Sequence, residues 1–122
     1  MSQPVSRALP RLAAIALIAL LPMAAAAERV TTRDDFVSLV DQRRLTTMGI
    51  TLVVSPDGRI GGRAFGSDVS GDWVWDKGWF CRTLAWGSRS WPRNCQLVVR
   101  DGDKLRFTSD QGTGDSATLR IR

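Results

Sequence analysis

Histidine is absent from the 122 residues, and cysteine occurs only twice. The first absence removes the commonest general base, the imidazole of a serine triad and the usual zinc ligand together. The two cysteines, Cys81 and Cys95, lack the C-x-x-C spacing of a redox pair. No apolar run is long enough to span a bilayer. Leu12 to Ala27 is 16 residues against the ~20 required, and Pro22 interrupts it. Internal repeats and low-complexity tracts are missing too. The length suits one domain and excludes most multidomain enzymes.

Residues 1–27 read as an export signal. Arg7 and Arg11 form a basic start without an acid, a short apolar core follows, and Ala24-Ala25-Ala26-Ala27 precedes Glu28. Cleavage is expected after Ala27 or one residue earlier. No cysteine follows that would take a lipid. The mature domain, residues 28–122, is then expected in a bacterial periplasm or secreted, with no membrane span and as a monomer. Losing Arg7 and Arg11 leaves 15 basic against 12 acidic residues, so the formal charge falls from +5 to +3. In an oxidising compartment Cys81 and Cys95 are expected to form a disulfide. It would close a 15-residue loop, worth about 3 kcal/mol in the chain-entropy model.

One short helix is expected near the start of the domain. Thr31 and Thr32 precede Arg33-Asp34-Asp35-Phe36-Val37-Ser38-Leu39-Val40, with capping threonine, acids in the first turn, and Phe36, Leu39 and Val40 at helical spacing. From Leu45 the pattern alternates. Ile50, Leu52 and Val54 lead to the turn Ser55-Pro56-Asp57-Gly58, and Gly61-Gly62 marks a bulge or sharp bend in the return strand. Further Gly/Asp turns space seven or eight short strands in all. The fold class is therefore mainly β: a small antiparallel meander or barrel, plugged at one end by the helix and held by one disulfide.

Three hairpin registers follow from the turns. A three-residue turn at Asp76-Lys77-Gly78 would set Trp75 opposite Trp79 and Trp73 opposite Cys81. A two-residue turn at Asp101-Gly102 would set Val98 opposite Leu105 and Gln96 opposite Phe107. Pairing Asp110 with Ser116 would set Leu105 opposite Ile121 and Phe107 opposite Leu119. The last two gather Val98, Leu105, Phe107, Leu119 and Ile121 on one face. The same register sets Arg106 opposite Arg120 and Lys104 opposite Arg122. Like charges in direct opposition need either free solvation or an anionic partner.

Five tryptophans in so small a chain invite two readings. Trp73, Trp75 and Trp79 are expected to supply core volume. Trp86 and Trp91, with Arg82, Arg89 and Arg93 nearby, divide evenly between core and an aromatic, cationic platform for a glycan, peptide or anionic polymer. Asp34-Asp35 belongs to the helix start and is not an acid–base pair. Asp110-Gln111-Gly112-Thr113-Gly114-Asp115 reads as a turn, short of the ligands of a calcium loop. No catalytic, cofactor or metal residues are assigned.

The run Trp73-x-Trp75-x-x-Gly78-x-Phe80-Cys81-Arg82, the segment Asn94-Cys95-Gln96 and the tail from Leu105 to Asp115 resemble a family of small exported bacterial β-proteins. Its members are often labelled dihydrodipicolinate reductase. That label would imply an NAD(P)H-dependent enzyme on a Rossmann domain with catalytic histidine and lysine. Only Gly58-Arg59-Ile60-Gly61 echoes a dinucleotide loop, and it joins two expected strands where the loop should lead into a helix. The architecture is also similar to periplasmic protease and lysozyme inhibitors. The expected function is thus a binding or inhibitory module for an envelope protein or anionic polymer, without nucleic acid or cofactor. The alternative is the reductase. The candidate binding residues are Arg82, Trp86, Arg89, Trp91, Lys104, Arg106, Arg120 and Arg122, beside the disulfide of Cys81 and Cys95.

Overall fold

A computed structural model describes residues 2–4, 13–20 and 26–122. About half of the expected leader, residues 1–27, lies outside the described residues. No helix among them is long and apolar enough to cross a membrane. The chain forms β1 (Glu28–Arg29), α1 (Arg33–Val40), β2 (Leu45–Thr47), β3 (Ile50–Val54), β4 (Arg59–Ala64), β5 (Ser67–Asp76), β6 (Trp79–Trp86), β7 (Arg89–Asp101), β8 (Lys104–Thr108), the one-turn α2 (Ser109–Gly112) and β9 (Ser116–Ile121). From β2 to β9 each strand pairs antiparallel with the next, and β9 returns to β2 through Leu45 opposite Ile121. Eight strands therefore close a barrel, which removes exposed sheet edges. The short β1 adds outside the ring, against β7.

Helix α1 begins where expected. Thr32 Oγ1 accepts the Asp35 backbone N–H at 3.1 Å. Phe36 and Val40, one turn apart, are buried under the barrel end. The Phe36 ring centroid lies 5.0 Å from Phe80, 5.2 Å from Trp75 and 5.3 Å from Trp73. This end carries the turns at residues 55–58, 77–78 and 102–103. The opposite end carries those at 48–49, 65–66 and 87–88, with the longer segment 109–115.

The registers correct the expectations in two ways. In the β5–β6 hairpin Asp76 stays in the strand opposite Trp79, and the turn is only Lys77-Gly78, both left-handed at φ 50° and 90°. Such a two-residue turn matches the twist of the flanking strands. The register moves by one, so every pairing changes face. Trp75 opposes Phe80 and Trp73 opposes Arg82, all inward, while Val74 opposes Cys81 on the other face, where Val74 is exposed and Cys81 is buried in its disulfide. Trp79 leaves the expected core and lies half-buried on the outer wall, the Arg29 guanidinium 4.4 Å from its ring centroid.

The other two hairpins move by two residues, which preserves the faces. Val98 opposes Phe107, Leu105 opposes Leu119 and Phe107 opposes Ala117. Val98, Leu105, Phe107 and Leu119 accordingly remain buried together. The second shift has a visible cause. Asp110 is drawn out of the sheet by Asn94, whose Nδ2 donates to Asp110 Oδ1 at 2.8 Å and whose Oδ1 accepts the Asp110 N–H at 2.9 Å. Asp110 and Gln111 turn left-handed, and Thr108 becomes the partner of Ser116. The disulfide forms as expected, between directly opposed Cys81 and Cys95 of β6 and β7.

Candidate functional site

The two ends of the barrel differ. At the α1 end polar groups are matched with backbone carbonyls: Trp73 Nε1 donates to Ser55 O at 2.9 Å and Trp75 Nε1 to Thr31 O at 3.3 Å. At the other end large apolar side chains face solvent. Met48 is 89% exposed, Phe65 68% and Trp91 37%. Phe65 occupies a two-residue turn with Gly66 and has φ 49°, a left-handed conformation unusual for a bulky residue. Holding it there costs about 1–2 kcal/mol relative to glycine. Its ring packs so closely over Gly49 that a Cβ there would lie 2.6 Å away, and it meets Trp86 edge-on at 6.1 Å between centroids. Trp86 Nε1 donates to Ala64 O at 2.8 Å, which pins the pair to β4. The Arg89 guanidinium lies 5.5 Å from the Trp91 ring centroid.

Behind this lip the lumen is not filled. An eight-stranded barrel is just wide enough for its own side chains or for one small ligand. In the half nearest α1, aromatic rings fill it. In the open half the inward positions of β4 and β5 are Gly62, Ala64, Val69 and Gly71, and the two glycines admit so close an approach of the neighbouring strands that a Cβ would collide with the backbone of Thr51 or Thr83. Gly62, at φ 126°, is the bend expected of Gly61-Gly62. Two adjoining compartments lie here, of about 250 and 270 Å³, sharing Leu52 and Leu84. The inner one is walled by Leu45, Val54, Ile60, Phe107 and Leu119, with Arg82, Gln96, Ser109, Asp115 and Ser116 on one flank. The outer one is apolar and reaches Phe65, Trp86 and Trp91.

Among the described residues, Arg82 is the one cation lining the inner compartment. Its Nη1 donates to Pro92 O at 3.3 Å, and no carboxylate among the described residues forms an ion pair with it. Burial lowers the pKa of its guanidinium, since desolvation disfavours the charged form. An arginine stays protonated regardless. The neighbouring polar groups are matched: Gln96 Nε2 donates to Ser109 Oγ at 3.0 Å, and Thr108 Oγ1 and Ser116 Oγ lie 2.7 Å apart.

The sequence-derived candidates therefore separate into two groups. Arg82, Trp86, Arg89 and Trp91 gather at the open end, Arg82 in the lumen and the others at the lip. Lys104, Arg106, Arg120 and Arg122 lie exposed on the outer wall of β8 and β9. Their expected oppositions are corrected by the two-residue shift. Lys104 opposes Arg120, and Arg106 opposes Thr118. Arg120 Nε also pairs with Asp103 at 3.5 Å, and Arg122 Nε donates to Thr46 Oγ1 at 3.2 Å. Met48 and Phe65 escaped the sequence reading, although an aromatic directly before a turn glycine at Phe65-Gly66 was a usable signal. The glycine run Gly58 to Gly61 lies in a turn and the start of β4, with no helix after it. No cluster of three or more metal-ligating side chains occurs among the described residues. Comparison with protein-family models, with curated proteins and with solved structures finds no match.

Proposed function

We propose that this chain is an exported binding module that engages an envelope partner through the open end of its barrel. The observation that carries the reading is the pair Phe65 and Trp91, large apolar side chains set at an apolar opening, with the exposed Met48 at the same end of the barrel. Exposed apolar groups gathered at one place mark interaction surfaces more often than scattered ones do. Strain supports the same reading. A left-handed turn residue is cheapest as glycine or asparagine, so phenylalanine at position 65 serves something other than the turn. Export is supported by the leader pattern of residues 1–27 and by the Cys81–Cys95 bridge.

The test is capture from a periplasmic extract by the immobilised mature domain, compared with a Phe65→Asn/Trp91→Ala variant. Phe65→Asn suits the turn and Trp91 is partly exposed, so the variant should melt at or near the wild-type temperature. It should lose the captured partner. Capture of the same partner at undiminished yield by a folded variant would refute this use of the open end.

A further inference from the structure

The lumen behind the lip combines two features. Its walls are largely apolar around an open volume of about 250 Å³, and it carries a cation with no ionic partner among the described residues. A leucine at position 82 would continue the apolar wall between Phe80 and Leu84 and cost no desolvation. A half-buried guanidinium does cost desolvation, which an anion in the pocket offsets. Planar bidentate donors match a carboxylate best.

We infer that the inner compartment binds a small amphiphile with one carboxylate, its apolar body among Leu52, Ile60, Phe107 and Leu119 and its carboxylate on Arg82. This rests on the open end being the binding end, but it needs no macromolecular partner. Size narrows the class further. A cavity of ~150 Å³ holds benzene, so one of about 250 Å³ takes roughly ten non-hydrogen atoms. Octanoate is of that size. The outer compartment, lined by Phe65, Trp86 and Trp91, leaves room for a longer chain or a ring to extend toward solvent. Asp115 lies on the same flank as Arg82 and is exposed. Its charge opposes a bound anion, which fixes the sign of a second test.

The experiment uses the purified mature domain with octanoate, octanol and octylammonium, read by tryptophan fluorescence and by the rise in Tm that a ligand of the native state produces. Octanoate should bind about tenfold or more tighter than octanol, the expected share of a charge-assisted contact. Octylammonium should not bind. Arg82→Leu should remove that preference while leaving octanol binding intact, which also reports that the variant is folded. Asp115→Asn should tighten octanoate binding, with the gain shrinking as salt rises. Leu52→Trp, which fills the lumen, should exclude both ligands. Several results would overturn the assignment: no octanoate binding, equal affinity for octanoate and octanol, unchanged octanoate affinity in Arg82→Leu, or weaker octanoate binding in Asp115→Asn. None of them touches the capture of a macromolecular partner by Phe65 and Trp91, so the two readings fail separately.

Discussion

Replacing Phe36 by alanine removes the ring around which the closed end is assembled. The side chain has no exposure, and four aromatic rings surround it, with Phe107 edge-on at 6.3 Å beyond Phe80, Trp75 and Trp73. Truncating a buried phenylalanine costs about 3–5 kcal/mol, from lost transfer energy and the cavity left behind. Aromatic pairs contribute roughly 0.5–1.5 kcal/mol each in isolation, but pairs that share one ring do not add in full. The barrel wall cannot collapse inward to fill the gap, because its strands are fixed by closure. The loss should therefore fall near the top of the range, about 4–5 kcal/mol. For a domain of this size that is a drop in Tm of roughly 20 °C or more. Urea unfolding followed by tryptophan fluorescence measures it, with Leu39→Ala on the same helix, half-buried, as a control expected to lose less. If Phe36→Ala lost under about 1 kcal/mol, α1 would not belong to the cooperative fold and the plug would have to be something else.

Mass spectrometry of the chain purified under oxidising conditions should show the two-proton deficit of the Cys81–Cys95 bridge, and Cys81→Ser should lower stability by about 2–4 kcal/mol. Two alkylatable thiols in the absence of reductant would contradict this. The hairpin register makes a sharp contrast between neighbouring tryptophans: Trp73→Ala should cost about 3–5 kcal/mol, whereas Trp79→Ala, on the outer wall under Arg29, should cost less than half of that. Equal losses would mean that the two share a face after all. On the outer wall, Lys104→Glu turns the repulsive Lys104–Arg120 opposition into an attractive one and should raise Tm at low salt, with the gain fading as salt increases. A Tm that falls would show that Asp103 already neutralises Arg120 and that the new acid only repels it.

What could be read from the sequence depended on parity. The faces of β7, β8 and β9 survived a register error of two residues, because side chains repeat every two positions along a strand and an even slip moves none of them across the sheet. The tryptophan hairpin did not survive an odd slip. Lys77 takes a left-handed turn position despite its Cβ, so Asp76 entered the strand, and Trp79 and Cys81 share the outer face, Cys81 buried there in its disulfide. The helix was legible because its signals are local: Thr32, Asp34, Asp35, Phe36 and Val40 lie within one short stretch. The lumen was not legible, since it depends on which side chains a closed ring brings together: Leu52, Ile60, Arg82 and Leu119 line it from four different strands.

The contrast between the ends supports the proposed use of the open one. Around α1 the groups that could recognise a ligand are committed. Two indole N–H groups donate to carbonyls, Arg33 Nη2 donates to Pro56 O at 2.6 Å, and Arg29 lies over Trp79. A ligand arriving there would have to break backbone-anchored contacts and displace Phe36. At the open end fewer groups are engaged: Met48 is almost wholly exposed, Phe65 and Trp91 reach solvent although Phe65 packs on Gly49 and Trp86 and Arg89 lies over Trp91, and Arg82 has one carbonyl for its several donors. Folding stability draws little on Met48. The strained turn at Phe65 opposes folding. Residues whose removal should leave the barrel standing, held in place by a wall as rigid as a closed and disulfide-bridged sheet, are where recognition can change without loss of the fold.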